Sequence, residues 1–342
     1  MKKIAIIAMT LFGINNQVMA QDDDSTSMCP SFHIDYISEL QTDFKRVRWG
    51  NMLQLSADIP ITKAVCFYAS SLSVATTDEN PLANDLQGYS NIDAENMLFS
   101  LSVAGFTWSI NDHHSIFAGI RRMDEDYFCC DALALFTNSS CGGFPTITAN
   151  YDIATYPKAS MGLHYTYDHE KWGAKASLYN GAGYNRFTGR GNMFRICPSS
   201  DGVYALGQVE YHHKGTHYHL GASLHYSDLE GTASKRLRPT TWMYGEQALT
   251  SHIMLLTAYG HAFSNNHACR NFAGLGGKYL FGKTELGLFS DYTRVDDINE
   301  WATEITYDVP LTDYLCLRPV LHIINTDHCT KCIGMLRLNV CL

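Results

Sequence analysis

The chain has 342 residues and a net charge of −9; only 17% of its residues are charged, whereas 46% are hydrophobic. The charged fraction is below the roughly 25% that is usual for soluble domains, and the acidic balance argues against a nucleic-acid-binding domain, which is expected to be basic. The chain also has 20 tyrosines, 16 phenylalanines and 26 glycines. Beyond the N-terminus it has no run of about 20 apolar residues that could form a membrane helix. Two classes remain, a large all-β soluble protein and a membrane β-barrel.

Residues 1–20 have the three parts of a secretory signal peptide. Lys2 and Lys3 supply positive charge, residues 4–14 form an apolar stretch too short to span a bilayer, and Val-Met-Ala at 18–20 is a small-residue cleavage site. We therefore predict an exported chain with a signal peptide at 1–20, a short N-terminal segment at 21–30 and a single barrel domain at 31–342. Loss of the two lysines leaves the mature chain more acidic, which argues against a nucleic-acid partner.

From residue 31 onward, hydrophobicity alternates within segments of about eight to twelve residues, the length and period of tilted transmembrane strands. In the segment 51–59, for example, Leu53 and Leu55 face one way and Gln54 the other. Each such segment has one face suited to lipid and one suited to water. We predict sixteen strands, at residues 31–38, 51–59, 63–74, 97–108, 114–122, 159–168, 171–179, 203–212, 216–226, 241–247, 251–262, 271–281, 283–292, 299–308, 313–324 and 332–342.

The connections between these segments alternate in length. Every second link is predicted to be long, and a soluble β-sandwich has no physical reason to sort its loops in this way. The predicted fold is therefore all-β, a transmembrane antiparallel β-barrel of about 16 strands with long extracellular loops and short periplasmic turns. A barrel of this size is wide enough for an aqueous channel. The predicted long links are 39–50, 75–96, 123–158, 180–202, 227–240, 263–270, 293–298 and 325–331.

The most promising candidate site lies where the fifth predicted strand meets the loop 123–158. Alternation places Arg121 on the lumen face, whereas Arg122 falls on the lipid-facing set and could instead extend to the rim. A loop of this length usually has a use, and in a wide barrel it can fold inward and narrow the channel. Its carboxylates would then lie opposite the arginines as a charged constriction. The alternative is an outward loop that covers the barrel mouth. The carboxylates concerned are Asp124, Glu125 and Asp126.

The rest of the lumen face is polar and of mixed charge. Such a wall can solvate neutral, hydroxyl-rich solutes through hydrogen bonds, with guanidinium groups acting as multiple donors. We take six of its residues as further candidates for pore lining: Asp58, Lys175, Glu210, Glu304, Arg318 and Arg337. The same face includes His164, Tyr179, Gln208, His217, His219, His225, Glu285, Asp291, Asp308 and His322.

Enzyme and metal readings find little support in the sequence. There is no GxSxG, HExxH or P-loop motif, so we predict no enzyme and no cofactor. The histidines 217, 219 and 225 share one face, but a polar lumen wall explains them equally well. Cys329 and Cys332 form a CxxC beside His328, which a loop disulfide or free thiols explain better than a metal site. We therefore predict no metal site. Eleven cysteines in an exported chain favour disulfides, with at least one thiol left over.

The sequence resembles the carbohydrate-selective outer-membrane porin family, the OprB-like porins, from about residue 85 to the C-terminus. No single motif is highly specific, but their order and spacing together are. The matching motifs in the first half are Leu86-Gln87-Gly88, Ser90-Asn91-Ile92, Leu135-Phe136, Asn138-Ser139-Ser140, Tyr156-Pro157 and Met161-Gly162-Leu163. Those in the second half are Ser177–Gly181, Tyr218–Gly221, Tyr244–Gln247, Glu304–Tyr307, Leu317–Leu321 and Leu336–Leu338.

This resemblance implies a sixteen-stranded channel in the outer membrane of a Gram-negative bacterium, through which monosaccharides and small oligosaccharides diffuse. The implied partners are carbohydrate solutes, outer-membrane lipid and lipopolysaccharide, with the choice between monomer and homo-oligomer left open. The chain departs from the family in its final residue, Leu342, where such barrels usually have an aromatic, in its short loops and in its many cysteines. The alternatives are a general-diffusion or cation-preferring porin, a barrel enzyme, and a structural or adhesin barrel without transport.

Overall fold

The computed structural model describes residues 29–228, 235–263 and 268–342; the predicted signal peptide lies outside these ranges. Sixteen strands form a closed antiparallel barrel in which each strand pairs with its sequence neighbours and β1 pairs with β16. The strands are β1 Ser31–Thr42, β2 Val47–Pro60, β3 Val65–Thr76, β4 Met97–Asn111, β5 His114–Arg121, β6 Ser160–His169, β7 Trp172–Asn180, β8 Val203–His213, β9 Thr216–Asp228, β10 Lys235–Ala248, β11 Ile253–Ala262, β12 Cys269–Phe281, β13 Thr284–Val295, β14 Ile298–Pro310, β15 Leu315–Thr326 and β16 Thr330–Cys341. The predicted all-β transmembrane barrel of sixteen strands is therefore confirmed.

Alternation along each strand separates a mainly apolar outer face from an inner face that carries most of the polar and charged side chains of the wall, together with some buried apolar ones. In β2, Trp49 and Leu55 are exposed on the outer face, whereas Arg48 and Met52 are almost completely buried on the inner face. Because side chains alternate across a strand and the barrel has no open edge, every strand can present apolar groups to lipid while its backbone remains hydrogen-bonded. The outward-facing apolar residues thus form an outer belt.

Several strands extend further toward the extracellular side than predicted. Sequence patterns placed residues 39–50 in a long link, but β1 and β2 continue until only residues 43–46 connect them. Likewise, 296–297 alone connect β13 to β14, and 327–329 connect β15 to β16. These strand ends carry polar and charged lumen residues, which obscure the hydrophobic alternation. The long extracellular loops of the described chain are 77–96, 122–159 and 181–202.

Among the described residues, helical structure occurs only as single turns within the loop 122–159, among them α1 at Pro145–Thr148. In the described ranges, no helix has the length and apolar character needed to cross a membrane. The described residues also contain no disulfide bond, so the expectation of paired cysteines was wrong. Cys332, for instance, lies opposite Ile323 on the outer face of β16, whereas Cys130 and Cys141 are buried in the loop 122–159.

Candidate functional site

The loop 122–159 lies inside the barrel. Its aromatic side chains pack against lumen-facing residues of β10, β12 and β13, with ring centroids 4.7 to 5.3 Å apart. The pairs are Phe128 with Trp242, Phe144 with Phe272, and Phe136 with Phe289. All six side chains are buried, and at about 25 cal/mol per Å² of apolar surface this burial is what holds the loop in place.

Glycines in the wall make room for this loop. A Cβ atom at Gly287 would lie 2.6 Å from Cδ2 of Leu135, and one at Gly260 would lie 2.5 Å from Oγ1 of Thr146. Any larger side chain at these two positions would push the loop away from the wall. Residues of the loop and glycines of the wall therefore both determine that the loop lies inside the barrel.

A second loop, residues 77–96, also enters the lumen and packs against a different part of the wall. Tyr89 packs with Ile324 and Met335 of β15 and β16, and Ile92 packs with residues of β1 to β3. The two loops also bond to each other through their backbones. The Asn91 N–H donates to the Thr137 carbonyl at 2.7 Å, and the Ser139 N–H donates to the Gly88 carbonyl at 2.8 Å. Together the loops form one inner body that narrows the lumen.

Arg121 and Arg122 stand at the start of the loop 122–159, as predicted, but the carboxylates lie against them rather than across a gap. Arg121 donates to both oxygens of Asp126 at 2.6 and 2.5 Å. Arg122, which is 1% exposed and therefore not at the rim, pairs with Glu125 and lies 3.6 Å from Asp124. A single 3-10 turn, Met123–Glu125, brings the three carboxylates back onto the arginines.

This pairing changes the acidity of the loop carboxylates. Burial alone would raise the pKa of Asp126, but Arg121, His164 and Lys175 outweigh it, and the pKa lies below its usual value. For Asp124, burial dominates over the attraction of Arg122, and the pKa is raised. The cluster is therefore a set of neutralised pairs with one carboxyl group that holds its proton more readily.

Lys175 and Glu210 extend this cluster toward the periplasmic side. The Lys175 ammonium group lies 2.8 Å from Glu210 and donates to the Asp126 carbonyl at 2.9 Å. By contrast, Asp58 is near the periplasmic end of β2, where it is 3.7 Å from His33 and partly exposed. Asp58 is thus separate from the residues that surround the inner loops.

The wall formed by β13 and β14 anchors both loops through carboxylates. Glu304, a predicted candidate, accepts the backbone N–H groups of Thr137 and Asn138 at 2.8 and 3.0 Å. Two neighbouring carboxylates, Asp291 and Glu300, accept the side-chain amide of Gln87 at 2.7 and 3.1 Å. All three carboxylates are at most 2% exposed. Among the described residues none has a Lys or Arg partner within salt-bridge distance, and only His322 approaches, at 3.9 Å from Glu304.

Arg337 and Arg318 hold the inner body from the neighbouring strands β16 and β15. Arg337 donates from Nε to Glu39 at 2.7 Å and from Nη2 to the side chain of Asn91 at 2.6 Å. Arg318 donates to Asp308 at 2.6 Å and to the Ala134 carbonyl at 3.2 Å. Both candidates therefore tie a wall strand to one of the two loops.

Sequence reasoning missed several residues of this network. Arg48 binds Asp93 at 2.6 Å, and Glu39 and Glu300 anchor the loops, yet none was a candidate. Arg48 and Glu39 fall in a stretch that was predicted to be a loop. Continuing the alternation would have found them, because Arg48 shares a face with Met52, and Glu300 shares a face with Glu304.

The histidines and cysteines considered as metal ligands do not form such a site. In the part of the chain that the structure describes, no three His, Cys, Asp or Glu side chains are grouped to hold a metal ion. His217 instead pairs with Glu246 at 2.8 Å, and His225 bonds to the Gly181 carbonyl at 2.7 Å.

Solved porin structures share this architecture. The high-pH structure of Pseudomonas putida OprB matches with a TM-score of 0.76 at 16% identity, over 92% of this chain and 94% of that one. An anion-selective porin from Comamonas acidovorans matches with a TM-score of 0.63 at 10% identity, over 92% and 99%. OmpT of Vibrio cholerae, in its in-vitro folded trimer form, gives 0.60 at 10% identity, over 92% and 99%. No protein-family model and no curated protein matches the sequence. The chain has the sixteen-stranded fold of the outer-membrane porins, and its resemblance to the OprB-like porins is borne out at the level of the fold.

Proposed function

We propose that this chain is an outer-membrane porin through which small carbohydrates diffuse passively, without catalysis. The observation that carries the proposal is the charge pairing within the lumen. Arg121, Arg122, Lys175, Arg318, Arg337 and Arg48 each contact a carboxylate. Paired charges offer many hydrogen-bonding groups without a strong net field, which favours neutral, hydroxyl-rich solutes over ions.

The porin fold, the apolar outer belt and the resemblance to the OprB-like porins support an outer-membrane location and a sugar-sized solute. The barrel contains two inward loops, so its passage is narrower than an empty sixteen-stranded barrel would be. Such a constriction suits monosaccharides and small oligosaccharides. The solute identity within this class rests on the family resemblance.

The test is swelling of liposomes that contain the purified protein, with sugars of increasing size compared with an amino acid and a salt. We expect rapid swelling with mono- and disaccharides and slow entry of salt. Equal entry of all solutes of one size would favour a general-diffusion pore. No swelling with any solute would contradict the porin proposal and favour a structural barrel.

A cation-preferring pore is the second candidate, and it has its own support. Asp291, Glu300 and Glu304 form a buried acidic group without a Lys or Arg partner among the described residues. If these carboxylates act on permeating ions, the reversal potential in a planar bilayer with a salt gradient will show cation selectivity. A reversal potential near zero would leave the sugar pore as the better account.

A further inference from the structure

The extracellular loop 181–202 does not stay above the barrel; part of it crosses the rim and covers the outer wall. The wall is low at this point because β5 ends at Arg121 and β6 begins at Ser160. Met193 of the loop packs with Ile120 and Met161 and is completely buried. Residues 186–196 therefore cover part of the barrel, and we call them the rim segment.

The contacted side chains belong to the lipid-facing surface. Ile120 and Met161 are directly paired across β5 and β6. Ala118 and Leu163 lie two residues further along the same strands and are therefore on the same face. They are paired with each other and exposed, and Leu163 is 53% exposed. The rim segment thus rests on the extracellular end of the apolar belt, at the level where a bilayer changes from acyl chains to headgroups.

Exposed apolar groups of the rim segment continue this belt. Phe187 stacks on Phe99, an exposed residue at the start of β4, with ring centroids 6.3 Å apart and an angle of 15° between the planes. Phe194 and Ile196 are 52% and 68% exposed. Aromatic and aliphatic groups that are this exposed at a bilayer boundary are stabilised by contact with lipid.

The same segment carries three arginines, which have different roles. Arg195 is turned inward, where it is 3.1 Å from Asp201 and donates to the Arg190 carbonyl and to Ser200. Arg186 and Arg190 are exposed, and neither has an ion pair with any residue in the described ranges. Arg195 therefore holds the backbone in shape while the other two guanidinium groups remain available to an anion.

We propose that the rim segment binds a phosphate-bearing headgroup of the outer leaflet, with Arg186 and Arg190 as the phosphate donors and Phe187, Phe194 and Ile196 in contact with the acyl region. A guanidinium group matches phosphate oxygens through paired hydrogen bonds, and the aliphatic stem of an arginine can lie along apolar groups while its head reaches the interface. The partner is the phosphorylated glycolipid of an outer leaflet. This inference rests on the outer-membrane location given under the proposed function.

Native mass spectrometry of the purified, detergent-solubilised protein tests the proposal, with bisphosphorylated lipid A and its fully dephosphorylated form as probes. We expect retention of the phosphorylated lipid and little retention of the other. Each basic residue near an anionic lipid contributes about 1 kcal/mol, so the double variant Arg186→Gln/Arg190→Gln is expected to bind roughly thirtyfold more weakly. Arg186→Lys/Arg190→Lys should retain most of the binding.

The matched control is Arg46→Gln/Arg294→Gln, which removes two exposed extracellular arginines that are already paired, with Asp43 at 3.4 Å and Asp297 at 2.6 Å. This control should bind as the unchanged protein does. Equal loss in both double variants, or equal retention of the dephosphorylated lipid, would overturn the proposal. Folding of each variant is checked by the gel mobility of unheated samples. This experiment measures lipid binding and not transport. A protein that does not transport sugars can therefore still retain the phosphorylated lipid, and the two proposals fail separately.

Discussion

Asp85 shows how one loop carboxyl group can respond to pH. Burial and the nearby carboxylates Glu300 and Asp93 raise the pKa of Asp85 to about 7. It also lines a cavity of about 400 Å³ with Arg46 and Lys331, but these cations do not restore its usual acidity. The ordinary value for an aspartate is near 3.9, so the docked loop 77–96 binds this proton more tightly than an undocked loop would.

The sign of the resulting pH dependence follows from this difference. Docking of the loop is favoured most below pH ~4, where both states are protonated, and the advantage is lost as the pH rises through about 7. We expect hydrogen exchange of residues 77–96, corrected for intrinsic rates, to speed up over this window, and Asp85→Asn to weaken the change. Asp78→Asn is the control. The backbone N–H of Asn80 donates to the Asp78 carboxylate and lowers its pKa, so removing this carboxylate should leave the pH dependence of exchange in place. A flat profile in the unchanged protein would refute the prediction.

At the scale of elements, Glu304 connects the β14 strand to the loop 122–159. Replacing it with glutamine puts an NH₂ group against the Thr137 or Asn138 N–H, which now donate to its carboxylate oxygens. The loss of one charged hydrogen bond and the burial of an unpaired donor make the free energy of loop docking less favourable by about 1–3 kcal/mol. We expect Glu304→Gln to raise single-channel conductance and to admit larger sugars.

Glu285→Gln is the appropriate comparison for this variant. Glu285 lies on the neighbouring β13 but pairs with Lys278 at 3.3 Å and makes no hydrogen bond to either loop among the described residues. The conductance of the Glu285→Gln variant should match that of the unchanged protein. If Glu304→Gln and Glu285→Gln both leave conductance and the sugar size limit unaltered, the wall carboxylates do not position the loop.

The elements differ in how far sequence could predict them. All sixteen strands were predictable because each needs only a local alternation, such as Leu53, Gln54 and Leu55, to face lipid and water. The position of the inner loops was not, because Thr137 meets Glu304 and Gln87 meets Asp291 across very long sequence separations. The rim segment was missed for the same reason: nothing local to Met193 indicates that it will cover Ile120.

For the molecule as a whole, apolar side chains are divided between the outer belt and the cluster that fixes the loop 122–159 inside the lumen. Closure is completed by reciprocal backbone bonds of 2.9 Å between Ile34 and Leu342, so no strand edge is left open to lipid. The apolar surface of this belt must therefore be stabilised by the bilayer. The cost of a charge on the belt should then depend on depth, which a soluble barrel of the same shape would not show.

Leu288 and Thr284 test this on one strand. Both lie on the outer face of β13, but Leu288 is near its middle, 52% exposed, whereas Thr284 is its first residue at the periplasmic end. An arginine at the bilayer midplane of a barrel costs roughly 2–4 kcal/mol, and one near the interface about 0–1 kcal/mol. We therefore expect Leu288→Arg to lower the free energy of unfolding from lipid bilayers by the larger amount and Thr284→Arg by the smaller. Urea titration followed by tryptophan fluorescence measures both. Equal costs would mean that the middle of β13 does not sit at the bilayer midplane, and the assignment of the belt to lipid would fail with it.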